Sequence, residues 1–158
     1  MNTMKRRTFL KGTVASGVIV AAAGAGLLRP TEVLASAYPS SAFGQKGVDA
    51  TLKKLFGTTS VTKSNKIKFI NPTIQAENSQ VVPITISVNM KTDTIAILVA
   101  KNPGAMAASV DLTGSAKGYF RTKLKMGKTS DVYAVVKSGG KLYSNKIKIK
   151  VTVGGCGG

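Results

Sequence analysis

The sequence predicts a mainly β protein: an immunoglobulin-like antiparallel β-sandwich, preceded by a short N-terminal helix and followed by a flexible glycine-rich C-terminal tail. Three observations carry this expectation. From position 66 onward, apolar residues recur at every second position in seven or eight short runs. Turn signals such as Asn71-Pro72, Asn102-Pro103-Gly104 and Gly139-Gly140 separate those runs. Only one segment, near position 50, keeps a helical period. The Trp and the Cys pair of antibody domains are absent, so the expectation concerns architecture alone.

Residues 1–37 read as an address label. Lys5-Arg6-Arg7-Thr8-Phe9-Leu10-Lys11 precedes a weakly apolar run over 12–28, and Ala35-Ser36-Ala37 is a small-x-small cleavage signal. The apolar run is too short for a membrane span. The paired arginines resemble a twin-arginine export signal, although Lys5 stands where Ser or Thr is usual. An uncleaved N-terminal anchor is the rival reading.

Residues 38–65 form an extension. Ser40-Ser41 is a plausible helix cap, and Val48, Leu52, Leu55 and Phe56 fall on one face of a single short helix stopped by Gly57. The sandwich is expected over 66–153. Its strands are 66–70, a short one within 73–77, 81–89, 94–100, 107–112, 119–126, 131–137 and 141–153. Pro83 should hold its part of the third run to an edge or a bulge. Gly139-Gly140 should make a two-residue hairpin.

Charge and cysteine count narrow the function. The chain carries 23 basic and six acidic residues, a formal charge of +17. Beyond residue 37 the balance is 18 against five. In an exported protein that charge suits anionic small molecules, acidic partners or the envelope rather than nucleic acid; much of it simply solvates the surface. There is no His and a single Cys. This excludes an intramolecular disulfide, a His/Cys metal site within one chain, and Ser-His-Asp or Cys-His catalysis. The residues therefore argue against an enzyme in its own right, and no cofactor and no metal are expected.

The lone cysteine is Cys156, in the tail 154–158, Gly154-Gly155-Cys156-Gly157-Gly158. Residues 146–153 alternate lysine and apolar side chains and should lead a packed strand directly into this tail. Glycine leaves the tail bare and costly to order, so it is expected to act as a tether. A thiolate attacks sulfur and leaves from sulfur–sulfur bonds, so a tethered cysteine can accept and surrender a sulfur cargo. In that role Cys156 is an attachment point, not an enzyme's own nucleophile. Gly154, Gly155, Gly157 and Gly158 let the backbone thread a narrow channel.

Val153-Gly154-Gly155-Cys156-Gly157-Gly158 resembles the tail of the SoxY family, the sulfur-carrier subunits of the bacterial thiosulfate-oxidising (Sox) system. The likeness continues through Ala76-Glu77-Asn78, Val81-Val82-Pro83, Asn102-Pro103, Arg121-Thr122-Lys123-Leu124-Lys125 and Lys141-Leu142-Tyr143. It implies a periplasmic carrier exported by the twin-arginine pathway and paired with a SoxZ-like subunit as a heterodimer. A haem c enzyme would join thiosulfate to Cys156, and a hydrolase would release sulfate from it. Glu77, Asn78 and Asn102 read as loop and turn residues, whereas Arg121 and Tyr143 suit either a strand surface or a partner contact. Two other readings stay open: an envelope binding or structural module with an incidental tail, and a carrier whose C-terminal Gly158 forms a thiocarboxylate.

Overall fold

The structure is a computed structural model in which residues 38–114 and 116–152 are described. The export-signal segment 1–37 and the tail 154–158 with Cys156 lie outside the described residues. Two helices come first, α1 (Ser40–Phe43) and α2 (Val48–Phe56). Nine strands follow among the described residues: β1 (Thr62–Lys63), β2 (Ile67–Phe69), β3 (Gln75–Ala76), β4 (Val82–Val88), β5 (Thr94–Val99), β6 (Met106–Asp111), β7 (Tyr119–Leu124), β8 (Ser130–Ser138) and β9 (Lys141–Val151). They make a six-stranded sheet ordered β1-β9-β8-β5-β6, with β3 also on β9, and a three-stranded sheet ordered β2-β4-β7. This is the expected mainly β, two-sheet architecture with little helix.

The helical segment differs from the expectation in one detail. Ser40 and Ser41 do not cap the helix at 48–56; they begin a separate four-residue turn. Gly47, at φ 78°, sits at the N-cap of α2, where the Thr51 hydroxyl donates back to its carbonyl at 2.7 Å. Gly57 ends α2 in the left-handed conformation, φ 76°, as the sequence indicates.

Burial explains the strand patterns. β5 is central to the larger sheet and all six of its residues are buried. Ile95, Ile97 and Val99 face the main core between the sheets; Ala96 and Leu98 face a smaller core with Ala42 and Leu52 of the helices. Covered on both sides, β5 reads as a continuous apolar run rather than an alternating one. β4 has one solvated face and alternates: Val82, Ile84, Ile86 and Val88 are buried.

Pro83 occupies a locally free edge. The Ile70 N–H donates to the Thr85 carbonyl, so Thr85, and by the two-residue period Pro83, turn their main-chain groups toward the β2 side of β4. β2 pairs only with residues 86–88, so no ladder bond is lost where proline has no N–H.

β8 and β9 form the long hairpin, with Ser138 opposite Lys141. Gly139 and Gly140 both take positive φ, 55° and 78°, as a type I′ turn requires. Two pairings depart from the antiparallel expectation. β1 and β3 each lie parallel to β9, along Tyr143-Ser144 and Lys150-Val151. Among the described residues no helix is long and apolar enough to cross a membrane.

Candidate functional site

The last described residue, Thr152, stands at one pole of the sandwich, four residues before Cys156. β9 delivers the chain there because Ile149, fully buried opposite Ser130, locks its end into the main core. Beyond Ile149 the backbone is held from both sides. On the β3 side the Lys150 N–H donates to Ile74 O at 2.8 Å, and the Thr152 N–H and hydroxyl both donate to Ala76 O, at 3.1 and 3.2 Å. On the other side the Val151 N–H donates to Thr129 Oγ1 at 3.0 Å. The root of the cysteine-bearing segment is thus fixed up to Thr152.

Three loops are fastened around this root. The Asn78 carboxamide accepts the Gln80 N–H at 2.9 Å, closing a local turn, and the Ser79 carbonyl accepts the Met126 N–H at 2.8 Å. Asn102 joins the β5–β6 loop to the β7–β8 loop: its Nδ2 donates to Lys125 O at 2.7 Å, and its Oδ1 accepts from Gly127 N at 3.0 Å. The buried Ser130 hydroxyl accepts the Lys101 N–H at 3.0 Å. Ala76, Asn78, Asn102 and Lys125, scattered through the sequence motifs, therefore meet at the pole. Asn78 and Asn102 act as turn and loop fasteners, as the sequence suggested. Glu77 is exposed and has no contact that gives it a role.

The pole is basic. Lys101, Lys125, Lys128, Lys148 and Lys150 belong to its loops and to the end of β9. Asp131 is engaged by Lys146 at 2.8 Å, and that hydrogen bond, with the nearby Lys148 and Lys101, holds its carboxyl below the usual aspartate value. Lys146 is pushed up by the same contact and then by Tyr133, whose ring centroid lies 5.3 Å from its Nζ. Two apolar side chains at the pole stay in water: Ile74 is 68% exposed and Val81 44%.

Arg121 and Tyr143 part company. Arg121 is exposed on β7 opposite Thr85. Tyr143 is half-buried against the main core, between Val136 and Thr62, and is a packing residue. A cleft of about 320 Å³ lies away from the pole, between α2 and the larger sheet beside Leu52 and Tyr133. Among the described residues no group of three His, Cys, Asp or Glu side chains could hold a metal. The sequence reading missed Thr129 and Thr152, which fasten the root, and Ser130, which holds the β5–β6 loop beside it; hydroxyl residues in strands and loops carry no periodic signal of such contacts.

Comparison with known proteins places this geometry. A family model described as sulfur oxidation protein SoxY matches residues 52–156. The solved structure of the sulfur carrier protein SoxY from Chlorobium limicola f thiosulfatophilum is similar at 31% identity and a TM-score of 0.59, over 66% of this chain and 96% of that one. A superoxide reductase (neelaredoxin) from Ignicoccus hospitalis shares the fold at 16% identity and a TM-score of 0.51, over 58% and 95% of the two chains. No match was found among curated proteins.

Proposed function

The chain belongs to the SoxY family of sulfur oxidation proteins, and from that premise we propose that it is a periplasmic carrier holding thiosulfate-derived sulfur covalently on Cys156. The family match, which runs as far as Cys156, the single cysteine of the chain, is the observation that carries the proposal. A fixed root supports it. Cys156 lies four positions beyond Thr152, a span of about 13 Å when extended, so the thiol stays close to a basic pole while its cargo is anionic.

The chemistry balances with partners supplying the catalysis. The Cys156 thiolate and thiosulfate join through a new sulfur–sulfur bond, giving the S-thiosulfonate, and the two electrons released go to a haem c enzyme. Water then cleaves the bond between the outer sulfane sulfur and the sulfonate. Sulfate and two protons leave, and a persulfide stays on Cys156 for further oxidation or transfer. The chain provides a nucleophilic sulfur, a leaving group and a rigid mount. Its lysines favour anionic species near the thiol. A SoxZ-like subunit completes the carrier, and Lys5-Arg6-Arg7 directs export.

Intact-mass analysis of protein purified from the native periplasm, before and after reduction, tests this. A reducible adduct on the Cys156 peptide, with the mass of added sulfur with or without sulfonate oxygens, is the expected result. In a reconstituted system Cys156→Ser should abolish thiosulfate oxidation. A bare thiol during rapidly quenched turnover, or full activity of Cys156→Ser, would transfer the reading to an envelope module.

A further inference from the structure

The two sheets differ in what covers their outer faces. Helices α1 and α2 pack on the larger sheet through Ala42 and Leu52, whereas among the described residues nothing lies over the outer face of β2-β4-β7. Strand alternation sorts that face. Val82, Ile84 and Ile86 of β4 are buried, and Leu124 of β7 is buried opposite Val82. Tyr119, Arg121 and Lys123 therefore point outward, paired with Ser87, Thr85 and Pro83. The next outward position is Lys125, whose carbonyl is held at the pole by Asn102.

β7 is an edge strand, and the exposed row that it forms with the following Lys125 reads Tyr, Arg, Lys, Lys over a rise of about 20 Å. β2, β4 and β7 contain no acidic residue. The row ends beside Val81, in the turn closed by Asn78, and the exposed Ile74, just before β3, lies next to the root. Tyr119 is 55% exposed and borders, with Arg121, Ile70 and Thr85, a shallow cleft of about 280 Å³.

Reach decides what must touch this surface. An enzyme that takes Cys156 into its active site lies within about 13 Å of the Thr152 backbone, so its surface meets the pole. A specific interface occupies about 800 Å² on each partner, a patch about 30 Å across. On the basic, uncovered side it spreads onto β7.

We propose that the Tyr119-Arg121-Lys123-Lys125 row, with Val81 and Ile74 at its polar end, is the docking face for the enzymes that load and unload Cys156, and that those enzymes present an acidic rim around an apolar spot. Charge complementarity selects this occupant, since a row of three cations without a counter-charge on its sheet repels basic surfaces and steers acidic ones. The exposed aromatic and aliphatic side chains supply the contact that charge alone does not. The inference rests on the carrier reading of Cys156.

The test uses the full chain bearing Arg121→Glu, Lys123→Glu and Lys125→Glu together. Its control carries Lys46→Glu, Lys53→Glu and Lys54→Glu, which make the same change of charge on and beside α2. Both are compared with the native chain as substrates of the loading oxidase and of the sulfate-releasing hydrolase. The row variant should raise KM about 10- to 100-fold at low salt, with kcat within about twofold and most of the difference lost at high salt. Alkylation of Cys156 by a small neutral reagent, and the melting curve, should match the native chain, which separates docking from folding and from thiol reactivity. Equal KM changes in the row and control variants would overturn the proposal, as would a row variant defective only in kcat. Binding of Cys156→Ser protein to the same enzymes is measured alongside. If that binding depends on the row while native Cys156 never carries an adduct, the docking face stands and the carrier reading falls.

Discussion

Asn102 is the side chain through which the β5–β6 loop supports the β7–β8 loop, and its removal should separate stability from chemistry. Asn102→Ala deletes two hydrogen bonds, the 2.7 Å donation to Lys125 O and the 3.0 Å acceptance from Gly127 N. A partly hydrated hydrogen bond contributes about 1 kcal/mol net, and water replaces some of each, so the expected loss is about 1–2 kcal/mol. For a domain of this size that is a fall in melting temperature of roughly 4–8 °C. Urea titration of native and variant chains measures the loss. Amide exchange localises it: the Gly127 N–H should lose protection, while the Met126 N–H, bonded to Ser79 O, should keep it. Lys101→Ala, an exposed neighbour, should stay within about 0.5 kcal/mol of the native chain. A loss below about 0.3 kcal/mol for Asn102→Ala, or unchanged protection at Gly127, would refute the view that this carboxamide ties the two loops together.

Ile149→Ala should cost about 2–5 kcal/mol, because the side chain is fully buried beneath the root of the cysteine-bearing segment. Chemical denaturation reads the cost, and loss of exchange protection at Thr152 would show that the clamp loosens with it. Asp131→Asn should lower stability modestly near neutral pH by removing the pair with Lys146. The folded-state pKa of Asp131 lies below 3.8, so its contribution is present above that value and fades as pH falls through the depressed one. The raised pKa of Lys146 puts the opposite limit above 10.5, where the contribution fades as pH rises. Thermal melts of both proteins at pH 2, 7 and 11 in low and high salt should show a gap that is largest at neutral pH and narrows toward either extreme and in salt; an equal gap throughout would sink the assignment.

Period and composition carried much of this molecule. Alternation of Val82, Ile84, Ile86 and Val88 matches a strand with one wet face, and the nearly continuous apolar residues of 94–100 match the strand that is covered on both sides. Gly139-Gly140 announced its hairpin because few other dipeptides accept positive φ twice. The family was legible in the residues around the lone cysteine, and residues 52–156 match its model. Asn78 and Asn102 were read as turn and loop residues, and they are.

Tertiary structure decided which elements become neighbours. A two-residue period states which face a side chain occupies but not which strand lies alongside, so nothing marked β1 and β3 as parallel partners of β9. Those pairings use main-chain groups that nearly every residue carries, and the loops that pin them are far apart in sequence. The same folding separated Arg121, left in water on an edge strand, from Tyr143, packed into the core. Sequence alone singled out Cys156 as the one thiol of the chain, because residue type is read directly from it. The fold placed Thr152, where the described chain leads on toward Cys156, at a basic pole, because position depends on hydrogen bonds and packing that form only once distant segments have met.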